Sequence, residues 1–268
     1  MDLRPYLPST DRVERAAGVL NYQPFMLSDD VQTGVAYSFV NGGDPRVSPP
    51  LLFRRRDFED RWDAITDANA RLRAMYDDLL DEVATLFPGG SLLDVACNNG
   101  YFPVGAELRG MRGTGMDLGN HSGAVSLLND ALGTKAKFVH AGYDSVTHVL
   151  SVAGEFDVTV MSAIMCHLPD PLHFLAAAGR VTRGGILFWG QVIDSEDMLV
   201  CFQPPHLNLS TLTKFPLAFN DNTRLSLGLF REKRSTDGLQ ARCADRTASN
   251  LAHRALQRSR GISRSRDS

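Results

Sequence analysis

Ser91-Leu92-Leu93-Asp94-Val95-Ala96-Cys97-Asn98-Asn99-Gly100-Tyr101-Phe102 is the stretch whose reading decides the fold. Leu92, Leu93 and Val95 form a short apolar run, a polar turn containing Gly100 follows at once, and Tyr101 to Leu108 reads as a helix. A buried strand that enters a tight turn and leaves as a helix is the opening unit of a nucleotide-binding α/β fold. The turn's backbone N–H groups and the helix N-terminus are a ready place for a polar ligand group.

The pattern extends on both sides of this unit. Upstream, Phe58, Trp62, Ile65, Leu72, Met75, Leu79, Leu80 and Val83 recur at helical intervals, predicting one amphipathic helix over 57–87, which Pro88-Gly89-Gly90 ends. Downstream, strands are expected at 91–96, 112–117, 136–140, 156–162 and 184–192. Helices are expected at 101–109, 122–132, 144–152 and 170–181. Strands separated by helices of this length imply βαβ units with right-handed crossovers, hence a doubly wound, mostly parallel sheet flanked by helices.

The flanks differ from this core. Residues 1–56 are rich in turn formers (Asn41-Gly42-Gly43-Asp44-Pro45, Ser48-Pro49-Pro50), with β-like pieces at 25–27 and 34–39, and read as an N-terminal leader or lid. Arg54-Arg55-Arg56 reads as a solvated loop, its sharper alternative being a contact with an anionic substrate. No two convincing strands follow Thr211, so the sheet is expected to be incomplete at its C-terminal edge. From Arg231 to Ser268 ten Lys/Arg stand against four acids, a basic, apolar-poor tail expected to be disordered. Its abrupt change of composition is also what an altered reading frame or a truncation would produce. The division is therefore 1–56, 57–230 and 231–268.

Composition excludes several classes. A net charge of −3 gives no strong attraction to nucleic acid or membrane; the basic tail could contact RNA but lacks interleaved aromatics. Cys97, Cys166, Cys201 and Cys243 have no ligand or disulfide spacing, so no metal is expected, and reduced thiols suit a cytoplasmic protein. Neither a signal peptide nor a membrane-spanning run is expected.

Four segments in order resemble the class I S-adenosylmethionine-dependent methyltransferases. Leu93-Asp94-Val95-Ala96-Cys97-Asn98-Asn99-Gly100 is similar to that family's first motif, hydrophobic-Asp-hydrophobic-Gly-Cys-Gly-x-Gly, with Ala96 and Asn98 replacing two glycines. Gly113-Thr114-Gly115-Met116-Asp117 ends the second strand on an acid; the adjacent Leu118 falls beside the same pocket. Phe138-Val139-His140-Ala141-Gly142-Tyr143-Asp144 lies where the family places a polar residue beside the adenine. Phe156 to Pro171, containing His167-Leu168-Pro169-Asp170-Pro171, resembles its fourth-strand segment, and Arg180 to Leu187 its turn into the fifth strand.

The resemblance implies S-adenosyl-L-methionine as cofactor. The amino acid end would lie at the turn of Asp94, Ala96, Asn98 and Gly100, the ribose hydroxyls on Asp117, the base by Tyr143 and Asp144, and Met161 and Ser162 along the adenine and methyl region. Tyr143 and Asp144 also read as an ordinary surface turn, and Met161, Met165, Phe102 and Trp189 as core. A dinucleotide would need G-x-G-x-x-G, which this turn lacks. His167 is the candidate general base, with a structural alternative as a turn residue orienting the loop after the fourth strand. The acceptor is expected to be a small molecule or a nucleic acid; the alternative is a non-catalytic relative, suggested by Ala96, Asn98 and the unusual C-terminus. More faintly, Tyr22-Gln23-Pro24-Phe25-Met26-Leu27 with Thr33-Gly34 resembles the leader of methyltransferases of the wobble-uridine tRNA-modifying type, which packs over the cofactor pocket.

Overall fold

The computed structural model describes residues 1–35, 51–140, 154–164, 171–189 and 228–230. Tyr143, Asp144, Met165 and His167, the helix expected at 144–152 and the basic tail lie outside the described residues.

After a 3-10 turn at Arg4–Tyr6 comes helix α1 (Thr10–Val19), which Ser9 caps by accepting a hydrogen bond from the Arg12 N–H at 3.4 Å. Strands β1 (Met26–Ser28), β2 (Val31–Thr33) and β3 (Leu52–Arg54) then form a small antiparallel sheet. The expectation for 1–56 is corrected in two ways. A leader strand not expected there occupies Val31–Thr33, and α1 stands where no helix is expected, while most of the piece expected at 34–39 lies outside the described residues. A local signal for α1 exists, because Val13, Ala16, Ala17 and Leu20 follow helical spacing and all four are buried.

Helix α2 (Trp62–Leu86) replaces the expected 57–87, its start preceded by two 3-10 turns at Arg55–Asp57 and Glu59–Arg61. At 25 residues it is about 37 Å long, whereas β4 (Ser91–Val95) spans only about 17 Å. The two run in opposite directions through a short connection, so the N-terminal half of α2 projects past the carboxyl end of β4. There it holds the leader sheet: Gln32 donates to Thr66 Oγ1 at 2.8 Å, and Asn69 donates to Gln32 Oε1 at 3.2 Å.

The core continues through α3 (Tyr101–Glu107), β5 (Arg112–Asp117), α4 (Ser122–Leu132), β6 (Lys137–His140), β7 (Phe156–Ser162), α5 (Pro171–Arg180) and β8 (Thr182–Trp189). The sheet order is β6-β5-β4-β7-β8-β9, and the first five strands are parallel. Strand β9 (Gly228–Phe230) adds antiparallel to β8, pairing Ile186 with Phe230, so this edge does carry a strand beyond Thr211. Three residues are too few to show a period-2 pattern, and backbone pairing rather than patterning locates them.

Leu92, Val158, Val160 and Leu187 bury one face of the sheet under α2, α3, α4 and the leader. Leu93, Val95, Met116, Met161 and Ile186 bury the other under α5. Burial on both faces explains why β4 reads as a continuous apolar run. Helix α3 lies so close to β5 that a Cβ on Gly113 would sit 1.9 Å from the Pro103 carbonyl oxygen. The strand order reverses between β4 and β7, and in such sheets the carboxyl ends at that point form a ligand crevice.

The three arginines expected in a solvated loop each face an acid. Arg54 makes two 2.6 Å bonds to Glu14, Arg55 lies 3.8 Å from Asp30, and Arg56 lies 3.7 Å from Asp57. Among the described residues no helix is long and apolar enough to cross a membrane, and no group of three metal-ligating side chains occurs.

Candidate active site

Beyond Val95 the chain alternates through left-handed backbone: Ala96 at φ 62°, Asn98 at φ 47° and Gly100 at φ 90°. This conformation costs an alanine roughly 1–2 kcal/mol, while asparagine and glycine tolerate it. The surroundings enforce it. The Cys97 N–H donates to Met116 O at 3.0 Å, the Gly100 N–H to Cys97 O at 2.9 Å, and the Asn98 N–H to Asp117 Oδ2 at 2.8 Å. The two residues that depart from the glycine pattern therefore still follow a glycine-like path.

Asp117, at the end of β5, also accepts the Gly119 N–H on Oδ1 at 2.8 Å, and His121 Nε2 stands 3.8 Å from the same oxygen. Asp94 is 1 % exposed, and among the described residues neither of its carboxylate oxygens has a hydrogen-bond partner. Burial, and secondarily the nearby Asp117, push its pKa well above the ordinary carboxylate range. Asn98 Oδ1 is likewise buried without a partner among the described residues. Unmet buried acceptors are costly, and here they lie at the carboxyl end of β4 and in the turn that follows it. Burial also raises the Cys97 thiol far above its usual value, so it is no nucleophile.

Across the crevice, Tyr76 of α2 hydrogen-bonds Ser162 at the end of β7; its burial, together with Tyr22 and Asp94 nearby, raises its pKa. The Asp94, Ala96, Asn98, Gly100, Asp117, Leu118 and Ser162 positions thus gather at the carboxyl ends of β4, β5 and β7. Leu118 is 39 % exposed, whereas Met161 is fully buried in the layer under α5, as is Phe102 in the opposite layer.

Sequence reasoning misses four residues at the site: Tyr22, Gln23, Tyr76 and Asn99. Asn99 Oδ1 accepts the Asn21 and Tyr22 N–H groups at 2.9 and 3.1 Å, Asn99 Nδ2 donates to Val19 O at 3.1 Å, and the Tyr101 N–H donates to Gln23 Oε1 at 2.9 Å. Tyr76 does carry a signal, lying four residues after Leu72 on the apolar stripe of α2. Tyr22 and Gln23 stand in the leader resemblance and Asn99 in the first motif, but nothing local shows that they bond to one another's segments, because their partners are almost 80 residues away in the chain.

A family model described as a methyltransferase domain matches residues 68–230. The chain belongs to the class I S-adenosylmethionine-dependent methyltransferases. This methyltransferase is 28% identical over 137 residues to the ubiquinone biosynthesis O-methyltransferase of Hahella chejuensis, covering 48% of this chain and 56% of that protein. It is 30% identical over 154 residues to the protein of the same name from Aromatoleum aromaticum, covering 54% and 63%. It thus spans less than two thirds of the length of these relatives. Among solved structures it is similar to the N-terminal domain of EvdMO1 with SAH bound, at 17% identity and TM-score 0.40, covering 67% of this chain and 70% of that one. Membership of this family does not favour the non-catalytic alternative, and the left-handed path of Ala96 and Asn98 removes part of its motivation.

The residues present suit S-adenosylmethionine. It carries a sulfonium, two ribose hydroxyls and an amino acid end whose ammonium stands beside a carboxylate, so it presents positive charge and donors as well as one anion. The methyltransferase crevice offers acceptors and, in Asp94, a buried carboxylate without a positive partner among the described residues.

Proposed function

We propose that this methyltransferase moves a methyl group to a hydroxyl oxygen of a small molecule bound between the leader and the carboxyl ends of β7 and β8. The observation that carries the site is the pairing of a buried Asp94, unpartnered among the described residues, with a strand-end Asp117 across a left-handed turn. O-methylation is supported by the relatives named ubiquinone biosynthesis O-methyltransferase.

When bound, S-adenosylmethionine supplies an electrophilic methyl group. In this reading Asp117 accepts from the ribose hydroxyls while holding the Ala96–Gly100 turn in place through its bond to the Asn98 N–H. Asp94 faces the ammonium of the amino acid end. Ser162, held by Tyr76, borders the methyl region. The protein's main contribution is to align the acceptor oxygen, which accounts for much of the rate in displacements of this kind. An acceptor hydroxyl must also lose its proton, and His167 is the residue proposed to take it. The boundaries 1–56, 57–230 and 231–268 belong to the same proposal.

Calorimetry with S-adenosylmethionine and S-adenosylhomocysteine should give micromolar binding. Asp117→Ala should weaken it by about 1–3 kcal/mol, the cost of losing charge-assisted bonds. Transfer of labelled methyl to a panel of phenols and catechols then tests the acceptor; transfer to tRNA instead would replace the small-molecule reading. No binding at millimolar ligand would remove the proposal.

A further inference from the structure

The turn after β4 is held from two sides. Asp117 grips the Asn98 N–H from β5, and the leader grips Asn99 from above. Asn99 is fully buried and uses both ends of its amide on the leader: Oδ1 takes the N–H groups of Asn21 and Tyr22, and Nδ2 reaches Val19 O. Nearby, Gln23, 6 % exposed, accepts the Tyr101 N–H, and Tyr101 packs on Phe25 with ring centroids 5.5 Å apart. Four hydrogen bonds therefore join residues 19–23 to residues 99–101.

Asn99 lies between Asn98 and Gly100, both left-handed. Rotation of the turn that moves Asn98 would also pull Asn99 away from the leader. The converse holds as well, because release of the leader would strip the Asn99 amide of these partners and free the turn to relax. Tyr22, whose N–H is fixed by Asn99, is also near enough to Tyr76 to raise its pKa.

We propose that Asn99, seconded by Gln23, is a positioning residue that couples docking of residues 19–23 to the ligand-ready shape of the Ala96–Gly100 turn. This rests on reading that turn as the S-adenosylmethionine site. Coupling of this kind is reciprocal: the docked leader tightens cofactor binding, and the cofactor stabilises the docked leader.

The test compares full-length wild type, Asn99→Ala, Gln23→Ala and, as a control, Asn129→Ala. Asn129 makes three comparable bonds, to Thr134 and Ala136, tying the end of α4 to the loop before β6, away from the turn. Each protein is melted and titrated with S-adenosylhomocysteine, and amide exchange at residues 19–25 is followed with and without it. Asn99→Ala and Gln23→Ala should each raise Kd about tenfold, within the usual range of coupling between sites. Asn129→Ala should lower Tm and leave Kd unchanged. The ligand should slow exchange at 19–25 in wild type but not in Asn99→Ala. A wild-type Kd in both clamp variants, or a leader whose exchange ignores the ligand in a wild type that binds it, overturns the coupling alone. Absence of binding in wild type overturns the cofactor reading and the coupling with it. If Asn99→Ala does not fold, Gln23→Ala carries the same comparison.

Discussion

Among single residues, two carry the cost of the site. Ala96 holds a conformation suited to glycine. Ala96→Gly relieves about 1–2 kcal/mol of strain and gives back part of it as unfolded-chain entropy. The net expectation is a gain of about 0.5–1 kcal/mol in urea denaturation. Asp94 carries a different cost, since its pKa is raised in the folded protein above the ~3.9 of an unfolded aspartate. Between those two values the folded state holds a proton that the unfolded state has lost, so this residue makes stability fall as pH rises from about 4. Asp94→Asn removes this titrating group. Its unliganded Tm should exceed wild type at about pH 8, the gap closing toward about pH 4, while its affinity for S-adenosylhomocysteine falls. A gap that does not change with pH would contradict a raised Asp94 pKa in the folded protein.

Among elements, the close contact of α3 with β5 leaves no room for a side chain at Gly113. Any side chain on Gly113 meets the Pro103 backbone, which cannot rotate away. Gly113→Ala should cost about 1–3 kcal/mol or more, as overpacking does, and should weaken ligand binding because α3 begins where the turn ends. Equilibrium unfolding and calorimetry on the same preparation check both effects. Elements are also the most legible level of this chain. Strands at 112–117 and 156–162 and the helix at 122–132 coincide with their expected bounds, because each is written in local hydrophobic spacing. Helix α1 escapes that reading because its buried stripe is largely alanine, a weak apolar signal in a leader dominated by turn formers.

In the molecule as a whole, the leader is part of the main core and not an appendage. Leu20, Phe25 and Leu27 are fully buried in the same apolar cluster as Leu92, Val104 and Val160. Phe25→Ala should cost about 3–5 kcal/mol, the range for large-to-small core changes, and the described leader and sheet should unfold in one transition. Separate transitions by far-ultraviolet dichroism and tryptophan fluorescence (Trp62 lies on the overhang of α2 near the leader) would contradict this.

The alternation of strands and helices, the turn after β4 and the acid at Asp117 are legible in the chain alone, since each is carried by neighbours within a few residues. Folding in three dimensions was needed to show that Asn99 and Gln23 clamp the leader, that Tyr76 reaches Ser162, and that Asp94 is buried without a partner among the described residues. Those facts depend on contacts between segments tens of residues apart. Hydrophobic periodicity records which face of an element is buried but not which polar group it will meet there.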